Sequence, residues 1–427
     1  MSGRDTIFAL SSGRPPAAIS VIRISGELAH QAVESLAGSL PGPRRAVVRE
    51  LRNPGTGDLL DQAIVVRFDG PASATGENIV EIQCHGGRAV VDAILSALAK
   101  TPSLRQAEPG EFTRRAFDNG RIDLTEAEGL ADLIEAETES QRKAAVAMAE
   151  GGLSRQIFRW QGQLLGLAAQ AERAIDYDED DQEVDPVLIH DCSALADELQ
   201  RWLDRPRAEP LKDGLLVVIA GPPNAGKSSL LNAIVGSDRA IVSETPGTTR
   251  DHIEVPLAIG GVPVRLTDTA GLRTTADRVE AVGVQRATRL VDAADILVWL
   301  GPEEDAPPHA RRIQVRAKSD LLEGYDGPGG SIDLSSKTGE GVAELMATIE
   351  EAARSMLPSE GSLAINRRQA THLQESAAAL RRAAAAADIV LIAEELRHAR
   401  GAFDRLTGRA GVEDVLDSLF GRFCLGK

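Results

Sequence analysis

The sequence predicts a multidomain protein of mixed α+β and α/β class. It comprises a small α+β domain at the N-terminus, a discontinuous all-α helical domain, and a doubly wound α/β domain inserted into the helical one. Short β-like runs alternate with glycine and proline turns up to about residue 118, helical periodicity begins at Leu124 and returns after Pro358, and a strand–glycine loop–helix pattern begins at Leu215. We therefore expect segments at residues 1–118, 119–211, 212–357 and 358–427, of which the second and fourth form one helical domain.

The N-terminal segment alternates strand and helix signals, as a small α+β domain does. Its β-like runs are bounded by turn residues and lie at Ala18–Ile24, Ala63–Phe68 and Ile79–Gln83.

Apolar residues at helical spacing predict one helix from Leu124 to Glu150 and a second from Leu153 to about Ile175, separated by two glycines. Residues 176–185 then hold seven acids in ten positions, which is typical of a solvated loop or helix edge rather than a metal site. In the alanine-rich run 377–399, interspersed leucines and isoleucines predict closely packed helices.

The composition predicts a cytoplasmic protein. Among 427 residues no apolar run approaches the length of a membrane span, and the first residues lack the basic-then-apolar pattern of a signal peptide. Three scattered cysteines (Cys84, Cys192 and Cys424) argue against a disulfide framework and against a structural zinc site. The net charge of −17 repels bare nucleic acid, so an RNA partner requires a focused basic patch or a basic partner protein.

The strongest motif is G-P-P-N-A-G-K-S at Gly221–Ser228, which follows the apolar run Leu215–Ala220 and precedes a helix start. Glycines let backbone N–H groups surround phosphate oxygens, and the helix N-terminus adds positive potential. Lys227 is expected to reach the β- and γ-phosphates, and the Ser228 hydroxyl to bind Mg²⁺. The motif predicts a nucleoside triphosphate site.

Two further elements indicate a switch GTPase. The strand Val264–Thr267 runs into D-T-A-G at Asp268–Gly271, and the loop T-P-G-T-T-R-D at Thr245–Asp251 lies between the two motifs. An acid at a strand end can hold the Mg²⁺ water shell, a glycine beside it can sense the γ-phosphate, and a loop hydroxyl can complete the shell.

The guanine-reading elements are weaker. Lys318 and Asp320 lie where N-K-x-D is expected, but Ala317 replaces the asparagine. Ser335-Ser336-Lys337 resembles the last base-side loop. We expect a preference for GTP over ATP, with an affinity in the micromolar range or weaker.

The residue after D-x-x-G is Leu272, which cannot orient water as the glutamine of Ras-type GTPases does. Hydrolysis is then either very slow or served by another polar group. Glu280 is the candidate for this polar group. The alternative interpretation is that Glu280 is an ordinary glutamate on a helix surface.

The motifs together resemble the MnmE (TrmE) family of bacterial tRNA modification GTPases. The resemblance covers G-P-P-N-A-G-K-S-S-L-L-N, T-P-G-T-T-R-D and D-T-A-G-L-R, and it extends to D-T-I at residues 5–7, V-I-R-I-S-G at 21–26, E-I-Q-C-H-G-G at 81–87, P-G-E-F-T at 109–113 and F-C-L-G-K at 423–427. The last is similar to the family's terminal C-[ILV]-G-K.

This resemblance implies a homodimer formed through the N-terminal domain, and a heterotetramer with the FAD protein MnmG (GidA). Together they add an aminomethyl or carboxymethylaminomethyl group to C5 of the wobble uridine, position 34, of certain tRNAs. The one-carbon unit comes from 5-formyl- or methylene-tetrahydrofolate. The inserted Ras-like domains dimerise with K⁺ bound, which accelerates GTP hydrolysis.

The resemblance also implies roles for individual residues. Mg²⁺ is held by Ser228 and Thr249, and K⁺ by Asn224, Ser243, Thr245 and Thr248. Glu280 activates the attacking water. The GTP-binding set is Asn224, Ala225, Gly226, Lys227, Ser228, Ser229, Ser243, Glu244, Thr245, Pro246, Gly247, Thr248, Thr249, Asp268, Thr269, Ala270, Gly271, Lys318, Asp320, Ser335, Ser336 and Lys337.

The resemblance also implies a folate site, formed by Arg23, Glu81, Arg121 and Lys427. Cations suit the glutamyl tail of folate, and a carboxylate suits the N–H donors of the pterin. Arg121 stands where the family usually has lysine, which keeps the charge but changes its reach. Cys424 matches the family's near-terminal thiol, which is either a nucleophile or an unreactive tail cysteine.

Two alternatives differ in chemistry. An Era-like RNA-binding or ribosome-assembly switch is expected to end in a basic RNA-binding domain, whereas this acidic chain ends in C-L-G-K. A GTP-regulated, independent folate enzyme would turn over one-carbon units without the flavoprotein.

Overall fold

The computed structural model describes residues 5–177, 184–237, 240–242, 254–269, 280–321, 330–358, 363–411 and 413–427. Its contacts divide the chain into two compact units. The first comprises Met1–Ala131, Ala149–Arg159 and Phe403–Lys427, and the second comprises Asp132–Met148 and Trp160–Ala402. The boundaries at residues 118, 211 and 357 stay predictions.

The first unit contains a six-stranded sheet that packs against helices on both faces. Its elements are β1 (Thr6–Leu10), β2 (Ile19–Ser25), α1 (Ala29–Ala37), β3 (Val47–Arg52), β4 (Leu59–Phe68), β5 (Ile79–His85), α2 (Arg88–Ala99), β6 (Leu104–Gln106) and α3 (Glu111–Asp118). The strand order is β3-β4-β5-β2-β1-β6, antiparallel except for the β1–β6 pair. Alternate residues such as Ile22, Ile24 and Ile82 are buried against apolar residues of α1 and α2. The predicted α+β N-terminal domain is confirmed.

The next helices are α4 (Leu124–Glu135), α5 (Glu139–Ala149), α6 (Gly152–Tyr177) and α7 (Pro186–Leu203). The prediction of one helix from residue 124 to 150 is wrong, because the chain leaves the helix after Glu135. The Thr138 Oγ1 accepts from the Gln141 N–H at 3.2 Å, and the Gln141 Oε1 accepts from the Thr138 N–H at 2.9 Å. This reciprocal T-x-x-Q cap satisfies the first amides of a new helix, and its spacing is visible in the sequence.

A seven-stranded sheet forms the centre of the second unit. Its elements are α8 (Glu209–Asp213), β7 (Leu215–Ala220), α9 (Lys227–Val235), β8 (Ala240–Val242), β9 (Glu254–Ile259), β10 (Val262–Asp268), α10 (Glu280–Ala293), β11 (Ile296–Trp299), β12 (Arg312–Ala317), β13 (Ile332–Leu334) and α11 (Val342–Met356). The order is β13-β12-β11-β7-β10-β9-β8. The strands from β13 to β10 pair in parallel, whereas β9 pairs antiparallel with both β10 and β8.

The central strand β7 is buried along its whole length because both faces of this sheet are covered. On one face Leu230 of α9 and Leu345 of α11 join the core, and on the other face Val291 of α10 packs on the sheet. The predicted doubly wound domain is therefore confirmed.

The last helices are α12 (Arg367–Ala385), α13 (Ile389–Thr407) and α14 (Glu413–Phe420). A reciprocal cap between Asn366 and Gln369 begins α12, which packs along α7. Within the alanine-rich run the chain leaves the helix at residue 386, and the Asp388 carboxylate accepts from the Val390 N–H at 2.8 Å to begin α13. Among the helices described, none is both long and apolar enough to cross a membrane.

Candidate functional site

The loop from β7 to α9 has the backbone geometry of a phosphate-binding loop. Gly221 has φ 154°, and a Cβ there would lie 2.9 Å from the Leu300 carbonyl oxygen, so only glycine fits. Asn224 and Gly226 adopt left-handed conformations with φ 61° and 98°. Gly226 is the N-cap of α9, and no side chain caps it. The loop thus presents the first amides of α9 to an anion.

Lys227 is held against this loop. Its side chain is nearly buried, with 6% exposure, and its Nζ donates to the carbonyl oxygens of Gly221 (3.0 Å) and Pro222 (2.8 Å). The geometry therefore holds a lysine side chain beside the first amides of α9.

The Ser228 hydroxyl donates to Asp268 Oδ2 at 2.5 Å, across 40 residues of sequence. The two meet because β7 and β10 are parallel neighbours with Ile219 opposite Asp268. Asp268 is the last residue of β10, and the loop that leads to Ser228 leaves the same edge of the sheet. Thr269 Oγ1 donates to the Ile219 carbonyl at 3.3 Å. A hydroxyl and a carboxylate oxygen are the ligand types that Mg²⁺ prefers, so this pair fits the ion.

The base-side loops are linked to each other and to the phosphate loop. Lys318, at φ 64°, donates from Nζ to the Asn224 carbonyl at 2.9 Å. Ser335, with 0% exposure, donates to Asp320 Oδ1 at 2.8 Å and accepts from the Thr338 N–H at 3.3 Å. Ser336 and Lys337 occupy the turn that follows β13. These bonds fix the loops although Ala317 supplies no side-chain hydrogen bond.

Several predicted site residues lie outside the described residues, and their roles stay predictions. They are Ser243, Glu244, Thr245, Pro246, Gly247, Thr248, Thr249, Ala270 and Gly271. Glu280 is the first residue of α10, and its side chain is likewise outside the description.

In the first unit, Arg23 of β2 and Glu81 of β5 stand opposite each other. The Arg23 Nε and Nη2 lie 2.9 Å and 2.8 Å from Glu81 Oε1. The guanidinium also lies 5.7 Å from the centroid of the Phe112 ring. The two side chains keep 24% and 19% exposure, so a charged pair backed by an aromatic ring remains accessible to a ligand.

The last residues of the chain dock on Phe112 and Ser11. The Phe112 N–H donates to the Lys427 carbonyl at 3.2 Å, and the Ser11 hydroxyl donates to the Gly426 carbonyl at 2.9 Å. Gly426 has φ 94°, and a Cβ there would overlap the Leu10 carbonyl oxygen. Phe112 thus connects Arg23 to Lys427 across more than 300 residues, and sequence reasoning gave neither Phe112 nor Ser11 a role.

Arg121 lies beside a neighbouring loop. Its N–H donates to the Ala116 carbonyl at 2.8 Å, and its side chain approaches Gly76. Asn119, two residues earlier, donates from Nδ2 to the Thr75 carbonyl at 2.7 Å. Phe112 therefore contacts both Arg23, the partner of Glu81, and Lys427, whereas the Arg121 side chain lies against the loop at residues 75–77.

An ion-pair network positions α3, which carries Phe112. The Glu111 carboxylate accepts from Arg105 at 2.6–2.8 Å, from Arg115 at 2.9 Å and from the Glu108 N–H at 2.9 Å. Burial alone would raise the pKa of Glu111, but these hydrogen bonds outweigh it and lower the pKa to about 2. Arg115 also pairs with Glu77 at 3.1 Å. The only sign of this ion-pair network in the sequence is the i, i+4 spacing of Glu111 and Arg115.

We expect Glu111→Gln to destabilise the first unit by up to about 3 kcal/mol near neutral pH, because the folded pKa lies about two units below the unfolded value. A carboxyl group whose pKa is lower in the folded state stabilises the fold at every pH above its unfolded pKa. This contribution to the free energy of unfolding is lost as the pH falls from about 4.3 towards 2. The gap in melting temperature between wild type and variant should therefore narrow below about pH 4. A gap that is independent of pH would contradict the pKa. Glu50→Gln, which removes a half-exposed partner of Arg52, is the control and should cost little.

The three cysteines differ in accessibility. Cys84 and Cys192 are buried, and burial raises the pKa of both thiols, that of Cys192 to about 11. Cys424 is exposed. Since reactivity requires an accessible thiolate, Cys424 is the thiol available to a substrate. Among the described residues, no three metal-ligating side chains converge on one point.

A phosphate loop after the central strand of a doubly wound sheet, an acid at the end of the neighbouring parallel strand, and linked base-side loops define a Ras-like P-loop GTPase. Family models match almost the whole chain: "GTP-binding protein TrmE N-terminus" over residues 6–121, and "MnmE helical domain" over residues 124–424. The chain belongs to the MnmE (TrmE) family.

Full-length relatives agree with this assignment. The protein named tRNA modification GTPase MnmE from Erythrobacter litoralis is 54% identical over 426 residues, covering 99% of this chain and 100% of the relative. Proteins of the same name from Novosphingobium aromaticivorans and Zymomonas mobilis are 52% and 48% identical, each over 99% of this chain and 100% of the relative. The predicted family and the class of enzyme, a GTP hydrolase, are confirmed.

Proposed function

We propose that this chain is a K⁺-stimulated, Mg²⁺-dependent GTPase that acts in tRNA modification. Its reaction adds an aminomethyl or carboxymethylaminomethyl group to C5 of the wobble uridine at position 34. The proposal is supported by the contact of the last residues with Phe112, whose N–H donates to the Lys427 carbonyl and whose ring lies 5.7 Å from the Arg23 guanidinium, in a chain that also has a GTPase fold.

At the GTPase site, Lys227 and the amides of α9 bind the β- and γ-phosphates, and Asp320 accepts from the guanine edge. Mg²⁺ is held by Ser228 and Thr249, and K⁺ by oxygens of Asn224, Ser243, Thr245 and Thr248. When bound, the two cations offset negative charge on the phosphates, as an arginine finger does in other GTPases. Glu280 orients the attacking water, since the Leu272 side chain has no polar atom.

At the N-terminal site, the ligand is a tetrahydrofolate that carries a one-carbon unit, 5-formyl- or methylene-tetrahydrofolate. Glu81, fixed by Arg23, is oriented to accept from N–H donors of the pterin, while Arg121 and Lys427 offer cations to the glutamyl tail. The exposed Cys424 thiol is close in sequence to Lys427, and we assign it as the candidate nucleophile towards the uridine or the one-carbon unit.

The proposed assembly is a homodimer through the N-terminal domain, joined to the FAD protein MnmG (GidA) and to tRNA in the cytoplasm. Support comes from family membership over the whole chain.

The test is GTP hydrolysis by the purified chain in K⁺ and in Na⁺ at matched ionic strength. We expect K⁺ to stimulate hydrolysis at least about tenfold, because a cation near the phosphates stabilises the developing charge. Glu280→Ala should abolish the stimulated rate. Glu344→Ala, which removes an exposed glutamate of α11, is the matched control and should hydrolyse GTP like wild type. Equal, slow rates in both salts would refute the cation-activated mechanism.

A further inference from the structure

The negative charge of this chain is unevenly distributed. Residues 1–118 carry 13 basic and 13 acidic side chains, so the whole net charge of −17 belongs to residues 119–427. Within the neutral part, residues 42–52 hold four arginines and one glutamate. Because most of the chain repels an RNA backbone, such a local group of cations is where RNA can approach.

Three of these arginines form a surface that we call the arginine edge: Arg44, Arg45 and Arg49. Arg44 and Arg45 are exposed in the loop before β3, and Arg49 is half-buried on β3, the last strand at one side of the first unit's sheet. The fourth arginine, Arg52, is excluded because it pairs with Glu50 at 2.8 Å.

Within the described residues, the arginine edge is not neutralised by carboxylates. The Arg44 Nη2 donates to the Ala72 carbonyl at 2.5 Å, and the Arg49 Nε donates to the Ser39 carbonyl at 3.1 Å. The Arg45 side chain bonds to no described group. A guanidinium has five N–H donors and keeps its charge when a carbonyl is its partner. Each of these side chains therefore retains donors for an incoming anion.

We propose that the arginine edge binds the phosphodiester backbone of RNA. Arginine pairs bidentately with phosphate oxygens, which favours it over lysine at such a surface. Contacts to phosphate fix the position of an RNA without reading its sequence. The inference rests on the proposed function, in which the RNA is tRNA. It identifies the arginine edge as the surface of this acidic chain that binds the tRNA.

The test is the affinity of the full chain for unmodified tRNA over a series of KCl concentrations, compared with the triple variant Arg44→Gln, Arg45→Gln and Arg49→Gln. We expect the variant to bind at least about tenfold more weakly at low salt. The slope of log K against log salt should decrease in magnitude by about two, since each phosphate contact contributes roughly 0.7–0.9.

The matched control removes three arginines that are already paired with glutamates, by Arg142→Gln, Arg382→Gln and Arg397→Gln. Its net charge changes equally, and its affinity should stay within about twofold of wild type. Equal losses in both triple variants would show a general charge effect and overturn the inference.

Arginines on an edge strand also prevent strand pairing between copies. A variant that changes oligomeric state in light scattering, with tRNA affinity unchanged, would show that role and overturn the inference. A wild-type chain that hydrolyses GTP with K⁺ stimulation but binds no tRNA would also overturn it while leaving the GTPase mechanism intact. Arginine-edge-dependent binding without K⁺ stimulation would instead contradict the proposed GTPase mechanism alone.

Discussion

Lys227→Ala is expected to weaken GTP binding by two to three orders of magnitude. The ammonium lies against the loop carbonyls of Gly221 and Pro222, at the N-terminus of α9. In the proposed function it binds the β- and γ-phosphates. Two charge-assisted hydrogen bonds to phosphate are together worth about 3–4 kcal/mol. The measurement is direct titration of a non-hydrolysable GTP analogue.

The fold should survive Lys227→Ala, because its loop carbonyls lie at a solvent-accessible site and can bond to water. Lys143→Ala is the control, since it removes the same charge from an exposed position on α5. Lys318→Ala should give an intermediate loss, because its bond to the Asn224 carbonyl ties the base side to the phosphate loop. Affinity of Lys227→Ala within about threefold of wild type would contradict the assigned phosphate contact.

Gly426→Ala is expected to weaken tetrahydrofolate binding strongly while leaving GTP hydrolysis intact. Its φ of 94° costs a side chain about 1–2 kcal/mol, and the added Cβ would overlap the Leu10 carbonyl oxygen. The tail must therefore move, which breaks the bonds of Ser11 and Phe112 to the tail carbonyls. Isothermal titration with 5-formyl-tetrahydrofolate should show at least about a tenfold loss of affinity.

Leu425→Ala is the matched control for Gly426→Ala. Its side chain is 50% exposed, so its removal leaves the tail docked and the folate affinity unchanged. Wild-type affinity in Gly426→Ala would show that tail docking does not build the site. If the wild-type chain itself did not bind 5-formyl-tetrahydrofolate, the folate site would be contradicted, and not only the role of tail docking.

The phosphate loop could be predicted from sequence because its determinants are local. A strand buried on both faces requires a continuous apolar run, and the left-handed N-cap of α9 requires a glycine, Gly226. The residues of Leu215–Ser228 therefore specify the conformation of this segment themselves. The helix break after Glu135 was missed although its T-x-x-Q cap is also local. There the apolar periodicity on both sides outweighed a four-residue signal.

The N-terminal site could not be predicted from the residues alone. Arg23 and Glu81 are isolated charges in the sequence, and only the register of β2 with β5 makes them a pair. Glu111 could be noted as an i, i+4 partner of Arg115, but its low pKa also depends on Arg105, which β6 brings to it. Family resemblance named four folate residues without saying what holds them.

The sequence by itself determined the class of enzyme and the order of its domains, because glycine-rich loops, caps and hydrophobic periodicity act over a few residues. The tertiary structure alone decided which distant groups meet: Ser228 with Asp268, Ser335 with Asp320, and Phe112 with Lys427. Such contacts depend on strand order and register and on a docked chain end. These are set by the summed burial of many side chains, and no short motif encodes them.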